Sequence, residues 1–253
     1  MSTKKIALVT GGSRGLGKDM ALSLAKKGLD VVITYNSNSE AANETINEIK
    51  SQKGSAIALQ LDTRSVSGFE NFKKGLQQVL ETELSTGKID FLINNAGFGH
   101  NGSVAETTEQ AFDDLMNVHL KGVYFLTQTL LDMINDGGGI VNISSGLTRF
   151  SFPGYSAYAS IKGAIEVYSQ YLAKELGERK IKANTVAPGA INTEFHNDRF
   201  EQAPQLIEMI EGMTALGRMG ESDDIGGVVA FLCSEDAKWV NGQRIEVSGG
   251  MLI

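Results

Sequence analysis

The sequence contains few of the residues that cross-link or interrupt a chain. Of its 253 residues one is cysteine, Cys233, and three are proline, Pro153, Pro188 and Pro204. A single cysteine excludes an intramolecular disulfide and indicates a reducing compartment. So few prolines, with no Ser/Pro-rich or charge-rich linker, favour one domain over residues 1–253 rather than two smaller ones.

Positive charge and long apolar runs are also scarce. The net charge is −7 and no basic stripe is present, so nucleic acid and anionic membranes are not expected partners. After Lys4 and Lys5 only five apolar or neutral residues precede Gly11. That run is too short for a signal peptide, or for a membrane span of about 20 residues. We therefore expect a soluble, cytoplasmic protein.

Metal-binding patterns are missing as well. The three histidines, His100, His119 and His196, are far apart in the sequence, and no set of Cys, His and carboxylates has the spacing of a zinc site. We predict no catalytic metal.

What the chain does contain is a regular alternation of strand-like and helix-like segments, typical of βαβ units. The first apolar run, residues 6–10, leads into the loop Gly11-Gly-Ser-Arg-Gly-Leu-Gly17 and then into a helical pattern. Glycines suit a turn where a pyrophosphate approaches the backbone at the positive end of a helix. The spacing Gly-x-x-x-Gly-x-Gly differs from the common dinucleotide fingerprint, but its position between strand and helix predicts a nucleotide-binding loop.

Polar residues follow four further apolar runs. Asp62 follows residues 55–61, where its carboxylate could accept a hydrogen bond from an adenine amino group, and Asn94-Asn-Ala-Gly97 follows residues 89–93. Ser145 and the Pro188-Gly189 pair follow two later runs. Because ligands of open parallel sheets bind beyond the carboxyl ends of the strands, we expect these residues to meet at one edge.

The run Tyr158-Ala-Ser-Ile-Lys162 carries a phenol and an ammonium one helical turn apart, with Cβ atoms roughly 6 Å from each other. A neighbouring positive charge favours the phenolate and lowers the pKa of a tyrosine below its usual value of about 10. The pair therefore predicts a proton donor and acceptor at Tyr158.

Taken together, these motifs resemble the short-chain dehydrogenase/reductase family in order and spacing, from residue 5 to Gly249-Gly250. The resemblance implies a single α/β domain with a Rossmann-like, doubly wound parallel sheet of about seven strands flanked by helices. It implies that Tyr158 exchanges a proton with the substrate oxygen and that Ser145 holds this oxygen by a hydrogen bond. Lys162 would bind the ribose of a nicotinamide cofactor and acidify Tyr158. These are general acid–base and electrostatic roles.

One catalytic position departs from the family pattern. Where the family usually has Asn before Leu-x-Gly-Val-Phe, to hold a water that relays protons to the lysine, this chain has His119; Asn117 lies about 200° around the helix from it. An imidazole can donate to or accept from the same water, so one hypothesis makes His119 the relay residue. The other is a packed histidine with no part in proton transfer.

Cofactor choice depends on the end of the second predicted strand. NAD-binding folds usually place a carboxylate there, whereas NADP requires neutral or positive groups. This chain has Asn36-Ser37-Asn38 after Tyr35, and Arg14 stands in the glycine loop. We predict NADP(H), with NAD(H) possible. The predicted cofactor-binding residues are Gly11, Ser13, Arg14, Gly15, Leu16, Gly17, Tyr35, Asn36, Ser37, Asp62, Asn95, Ala96, Gly97, Tyr158, Lys162, Pro188, Gly189, Ile191 and Thr193.

The substrate is less well specified. Apolar and aromatic residues around the polar edge suit medium-sized hydrophobic ketones or secondary alcohols, and residues 190–218 are predicted to cover the ligand as a lid. The predicted substrate-binding residues are Ser145, Leu147, Phe98, Tyr155 and Phe195. Each of the aromatics could equally be ordinary core.

Three functions remain open. The first is an NADPH-dependent carbonyl reductase. The second is a reductase of 3-oxoacyl thioesters on an acyl carrier protein, or a sugar or other alcohol dehydrogenase. The turn Asn135-Asp136-Gly137 has the wrong charge for an acidic carrier protein, although Arg179, Lys180 and Lys182 keep part of a basic patch. The third is a non-catalytic NADP sensor, and the presence of all three catalytic residues argues against it.

Assembly follows from the resemblance, which implies a homotetramer, or a dimer. The predicted helix 155–176 carries Ile165, Tyr168, Leu172 and Leu176 as a second apolar stripe. Residues 251–253 are also apolar. Burial against another subunit and packing within the same subunit are the alternatives.

Overall fold

A parallel β-sheet of seven strands forms the centre of the computed structural model, which describes residues 4–193 and 205–253. The strand order is β3-β2-β1-β4-β5-β6-β7, and every neighbouring pair is parallel. This confirms the predicted α/β fold. The strands are β1 Ile6–Val9, β2 Asp30–Tyr35, β3 Ala56–Gln60, β4 Ile89–Asn94, β5 Ile134–Ile143, β6 Lys182–Pro188 and β7 Arg244–Val247.

Helices cover both faces of the sheet because successive strand residues point to opposite sides. Ala7 and Val9 of β1 pack into one apolar core, whereas Ile6 and Leu8 pack into the other. No helix among the described residues is long and apolar enough to cross a membrane. The helices are α1 Gly15–Lys26, α2 Ser39–Ser51, α3 Phe69–Glu83, α4 Glu109–Met116, α5 Val123–Leu130, α6 Ser156–Glu175, α7 Gln205–Gly212 and α8 Asp223–Leu232.

The winding direction reverses between β1 and β4. From β1 the chain adds β2 and β3 on one side, and then returns to place β4 on the other side of β1. The loops that follow β1 and β4 therefore leave in opposite directions and open a crevice at the carboxyl edge, which is where ligands bind in open α/β sheets.

The second apolar stripe expected on α6 is largely internal. Ile165, Leu172 and Leu176 are each buried within this chain, and Tyr168 packs against the core that contains Leu172 and Leu176. The large apolar side chains that α6 exposes are instead Val167 and Tyr171, the latter 63% exposed. Met251 is buried within the same chain too, whereas Ile253 is exposed. Packing within the chain thus accounts for most of the predicted apolar surface.

Candidate active site

A cavity of about 850 Å³ opens at the carboxyl edge of the sheet and brings the predicted site residues together. Its walls include the four predicted catalytic residues Ser145, Tyr158, Lys162 and His119. All the predicted cofactor residues line it, as do the predicted substrate residues Phe98, Leu147 and Tyr155. Phe195, the remaining predicted substrate residue, lies outside the described residues. The structure shows that these residues share one cavity. Their roles remain predictions.

The glycine loop after β1 forms one end of this cavity. Gly11 and Gly15 have φ angles of +66° and +52°, a left-handed conformation that favours glycine. A Cβ on Gly17 would lie 2.1 Å from the Gly11 carbonyl oxygen. Helix α1 begins at Gly15 with no acidic residue in its first turn, and its N-cap residue makes no capping hydrogen bond through its side chain. Its backbone N–H groups and positive dipole end therefore suit the pyrophosphate of a dinucleotide.

The end of β4 is fixed to this loop by Asn95. Its Nδ2 donates to the carbonyl oxygens of Thr10 and Gly11, at 2.9 and 3.2 Å. The backbone N–H groups of Asn95 and Ala96 donate in turn to Thr10 Oγ1, at 2.9 and 3.0 Å. The two loops that border the crevice are thus one hydrogen-bonded unit, which a bound nucleotide would meet already assembled.

The part of the cavity wall that follows β3 is polar and contains an arginine that was not predicted from the sequence. Arg64 lines the cavity beside Asp62, and its backbone N–H and Nε donate to Asp62 Oδ1 at 3.0 and 3.2 Å. Burial raises the pKa of Asp62, but these hydrogen bonds outweigh it and lower the pKa below the usual value. An Asp-x-Arg spacing after a strand end was the only signal for Arg64 in the sequence.

Ser145 follows β5 and begins a short turn. Its Oγ accepts a hydrogen bond from the Leu147 N–H at 3.2 Å, which leaves the hydroxyl hydrogen to donate. The preceding residue, Ser144, donates to Glu166 Oε1 on α6 at 2.8 Å. This bond holds the serine turn against the helix that carries Tyr158 and Lys162.

Lys162 is buried beneath Tyr158. Its Nζ donates to the Ile143 carbonyl oxygen at 2.7 Å and lies 5.6 Å from the centroid of the Tyr158 ring. Burial lowers the pKa of Lys162 to about 7. Burial, and after it the neighbouring Tyr155, raises the pKa of Tyr158. The direction expected from the Tyr/Lys spacing was therefore wrong, because desolvation of the phenol outweighs a cation whose proton is directed at a backbone carbonyl.

His119 lies in a π-helical turn, Asn117–Gly122, between α4 and α5. Its Nε2 is 2.8 Å from the Phe98 carbonyl oxygen and 3.3 Å from the Phe98 backbone nitrogen. The shorter contact favours the tautomer in which Nε2 carries the proton and donates to the carbonyl. Its Nδ1 is buried and has no hydrogen-bond partner among the described residues. Burial, and then the charge of Lys162, lower the pKa of His119 well below its usual value. The ring is thus neutral and presents a lone pair at Nδ1.

Aromatic and aliphatic side chains form the remaining walls. Several belong to the segments expected to contact substrate: Phe150 and Phe152 after Ser145, and three residues of α7. Met251, which follows β7, was not expected there. The further wall residues are Leu206, Met209, Ile210 and Met251. No group of three or more His, Cys, Asp or Glu side chains could hold a metal ion within residues 4–193 and 205–253.

A doubly wound sheet, a glycine loop at a helix N-terminus and a tyrosine–lysine pair in one crevice are typical of a nicotinamide-dependent oxidoreductase. The profile of a family described as enoyl-(acyl carrier protein) reductase matches residues 11–252. An uncharacterised oxidoreductase of Methylorubrum extorquens is 38% identical over 248 residues, covering 98% of this chain and 97% of that protein. The hydroxynaphthalene reductase-like protein Arp2 of Metarhizium brunneum is 34% identical, covering 97% of this chain and 94% of the relative.

A solved structure agrees over nearly the whole chain. The angucycline C-6 ketoreductase LanV with bound NADP superposes with a TM-score of 0.93 at 36% identity, covering 98% of this chain and 95% of LanV. LanV is also known with NADP and rabelomycin together. The protein described here belongs to the short-chain dehydrogenase/reductase family, as the motifs predicted. Its predicted class, an NAD(P)-dependent oxidoreductase acting on alcohol and carbonyl groups, is confirmed with it.

Proposed function

We propose that the enzyme reduces ketones to secondary alcohols with NADPH, and catalyses the reverse reaction with NADP. The observation that carries this proposal is the meeting of Ser145, Tyr158 and Lys162 in the cavity whose other end is the glycine loop. A cofactor bound along this cavity would supply or accept the hydride at the carbonyl carbon. The loop residues and Asn95 would hold its phosphates and ribose, and Thr193 and Ile191 would contact its nicotinamide end.

The protein supplies the proton. Because burial raises the pKa of Tyr158, its phenol is protonated near neutrality and can donate to the carbonyl oxygen as the hydride arrives. Ser145 holds the same oxygen through its hydroxyl hydrogen and stabilises the negative charge that develops there. Lys162, directly below Tyr158, stabilises the phenolate that forms and favours its reprotonation. In alcohol oxidation the same groups act in reverse, with Tyr158 as the base.

We propose that His119 completes this group as an acceptor. Its Nδ1 is held in a neutral ring by the Phe98 carbonyl and lies in the wall that includes Tyr158 and Lys162. It can accept a hydrogen bond from a water that in turn exchanges protons with Lys162. The alternative, a histidine that only packs, leaves a buried acceptor without a partner, which is costly.

NADP(H) is the proposed cofactor. Tyr35, Asn36 and Ser37 line the cavity together with Arg14 and Arg64, so the end of β2 offers neutral donors and two nearby guanidinium groups rather than a carboxylate. This chemistry suits a 2′-phosphate. The NADP complex of LanV supports the same choice by similarity.

We infer that the substrate is a flat, largely apolar ketone with fused rings. Phe98, Phe150, Phe152 and Tyr155 line the cavity, and aromatic walls favour stacking with a planar ligand. Two relatives point the same way, since one is named a hydroxynaphthalene reductase-like protein and the other is a ketoreductase crystallised with rabelomycin.

A 3-oxoacyl thioester on an acyl carrier protein is the second candidate. The description of the matching family supports only the carrier protein, since it names an enoyl thioester as the substrate. The surface next to β5 weakens it. Residues 135–137, which were predicted to form a turn before this strand, lie within β5 itself. Arg179 Nε is 2.8 Å from Asp136 Oδ1, so the charge of Arg179 is already compensated. A non-catalytic sensor is the least supported candidate, because Ser145, Tyr158 and Lys162 are all present in one cavity.

Three further predictions remain proposals: that the enzyme forms a homotetramer, that it is cytoplasmic, and that residues 190–218 form a lid over the ligand. Two exposed apolar side chains of α6, Val167 and Tyr171, support a contact between subunits. Helix α7 supports the lid, because three of its residues line the cavity.

The test is loss of NADPH absorbance with a panel of aryl ketones and acyl thioesters. We expect ketone reduction, with NADPH preferred over NADH, and a Tyr158→Phe enzyme slowed by about 100-fold or more. NADPH binding to that variant, measured by cofactor fluorescence, should be nearly unchanged. Full activity of Tyr158→Phe would refute the assigned acid–base role, and turnover of thioesters alone would favour the second candidate.

A further inference from the structure

Residues 249–252, which follow β7, contribute to the wall of the cavity. Met251 is 4% exposed and lines the cavity. It packs with Ile210 of α7 and Met219 in a small apolar cluster separate from the two large cores of the sheet. The position of this wall therefore depends on what holds the 249–252 segment in place.

The segment is paired with the chain that leaves α7. The Leu252 N–H donates to the Met213 carbonyl oxygen at 2.9 Å, and the Leu216 N–H donates to the Gly249 carbonyl oxygen at 3.0 Å. Thr214 and Met251 form an antiparallel bridge between these two bonds. Because α7 supplies Leu206, Met209 and Ile210 to the cavity, any shift of the 249–252 segment is transmitted to that helix.

A single guanidinium fixes the segment to the turn that contains Ser145. Arg149 donates through Nη1 to the Leu252 carbonyl oxygen at 3.0 Å and through Nη2 to the Met251 carbonyl oxygen. The same side chain binds both carboxylate oxygens of Glu246, at 2.6 and 2.7 Å. Leu252 has a φ of +53°, a conformation that a leucine rarely adopts, so the segment is held by its partners rather than by its own backbone preference.

The hydrogen bonds from Arg149 to Glu246, Met251 and Leu252 form a clamp, and Glu246 connects this clamp to helix α6, which carries Tyr158 and Lys162. It also accepts from Arg244 at 2.9 Å, and Arg244 donates to Glu166 of α6 at 2.7 Å. Burial raises the pKa of Glu246, but the hydrogen bonds from Arg149, Ser248 and Arg244 hold it at about 2. The carboxylate thus stays ionised at any pH where the enzyme would be assayed, and the clamp does not depend on pH.

We propose that Arg149 determines which ketones the cavity accepts, by holding Met251 and α7 at a fixed distance from the Ser145 turn. Arg149 does not itself line the cavity, so it is a positioning residue that acts on substrate size. This inference rests on the proposed ketoreductase function and adds a determinant of specificity to it.

Arg149→Met removes every polar contact of the clamp and keeps an apolar chain, whereas Arg149→Lys keeps one charge without the planar fork. Arg179→Met is the matched control. Arg179 also binds one carboxylate, Asp136, and two backbone carbonyls, those of Leu131 and Ile134, at 2.8, 2.8 and 2.5 Å. Its partners do not line the cavity among the described residues, so this variant reports the general cost of losing such an arginine.

Two measurements are made on the full-length enzymes. The first is amide hydrogen exchange of residues 205–216 and 249–252. The second is the KM for acetophenone and for acetonaphthone, methyl ketones with one ring and two fused rings. In Arg149→Met we expect faster exchange in both segments. We also expect a KM for acetonaphthone raised about tenfold, because the wall against which its second ring packs is no longer held in position. The KM for acetophenone and the NADPH affinity should change by less than about twofold, and Arg149→Lys should be intermediate.

Unchanged exchange in Arg149→Met would overturn the inference, and so would equal changes in KM for the two ketones or the same changes in Arg179→Met. If the wild-type enzyme reduces no ketone, the proposed function fails on its own evidence. Amide exchange then still decides whether Arg149 holds the 249–252 segment and α7 in place.

Discussion

The imidazole of His119 stands edge-on to the phenol of Tyr158, with ring centroids 5.3 Å apart and ring planes at 84°. Lys162 lies on the same phenol, with its Nζ 5.6 Å from the ring centroid. All three side chains lie in one wall of the cavity, where His119 and Lys162 are buried and Tyr158 is half-buried. A change in the hydrogen bonding of one therefore alters the electrostatic environment of the others.

His119→Ala should lower kcat by about tenfold, as expected when one acceptor of a buried proton-transfer network is lost. His119→Asn, whose side-chain oxygen can also accept, should retain most of the activity. Because the pKa of His119 lies well below its usual value, neither variant should remove an ionisation near neutrality from the pH profile of kcat. Steady-state kinetics across pH, with NADPH affinity as control, measures this. Undiminished turnover of His119→Ala would show that the histidine only packs.

Lys162→Met should abolish reduction and yet stabilise the cofactor-free protein at low pH. The pKa of Lys162 is about 7 in the folded protein and 10.5 without burial. The unfolded chain therefore holds one more proton between these values, and the native protein gains stability as pH rises through that window. Below about pH 7 both states are protonated and the folded protein bears the full cost of a buried ammonium.

Thermal unfolding of wild-type and Lys162→Met proteins tests this directly. At about pH 6 the variant should be more stable by roughly 1–3 kcal/mol, and the difference should shrink toward higher pH. A variant destabilised equally at all pH values would mean that folding does not lower the pKa of Lys162, and that the protonated side chain and its bond to the Ile143 carbonyl stabilise the native protein.

The motif residues could be predicted because each directly follows a strand, and parallel strands end at a common edge. Gly11, Asn95 and Ser145 needed only this rule and the order of the strands. Arg149 and Met251 could not be predicted, since they meet through the segment after β7, and nothing in the local sequence pairs residue 149 with residues 246–252.

Burial explains the other differences between expectation and structure. The Tyr158-x-x-x-Lys162 spacing specifies proximity but not depth, and the raised pKa of Tyr158 comes from desolvation first. The apolar stripe of Ile165 and Leu172 was equally compatible with a subunit contact and with the core. The structure places both residues inside the chain: Leu172 packs in one core with residues of β4 and β5, and Ile165 is also buried.

Arg14→Ala should raise the KM for NADPH by about tenfold, the effect of losing one charge-assisted hydrogen bond to a phosphate. The KM for NADH, which lacks the 2′-phosphate, should change little. Arg64→Ala serves as the comparison, since Arg64 lines the same region but also binds Asp62. Kinetics with both cofactors measures the ratio. A wild-type preference for NADH would contradict the assignment of Arg14 before any variant is made.

Gly97→Ala should disturb catalysis through His119. A Cβ on Gly97 would lie 2.4 Å from His119 Cε1 and 2.9 Å from Nδ1, so the imidazole must move and its bond to the Phe98 carbonyl is strained. We expect kcat to fall about as far as in His119→Ala, with a loss of roughly 1–3 kcal/mol in stability, typical of overpacking. Gly75→Ala on α3, where an added Cβ meets nothing within 4 Å, is the control and should be neutral or slightly stabilising.

The double variant separates a local clash from a general defect. Once His119 is alanine, the space that the ring occupied can accept the Gly97 methyl group, so the two substitutions should be strongly non-additive. In the His119→Ala background, Gly97→Ala should therefore cost little further stability or activity. Additive losses would show that Gly97 matters for the backbone of the loop after β4 and not for the position of the imidazole. The proposed structural link between this loop and His119 would then be refuted.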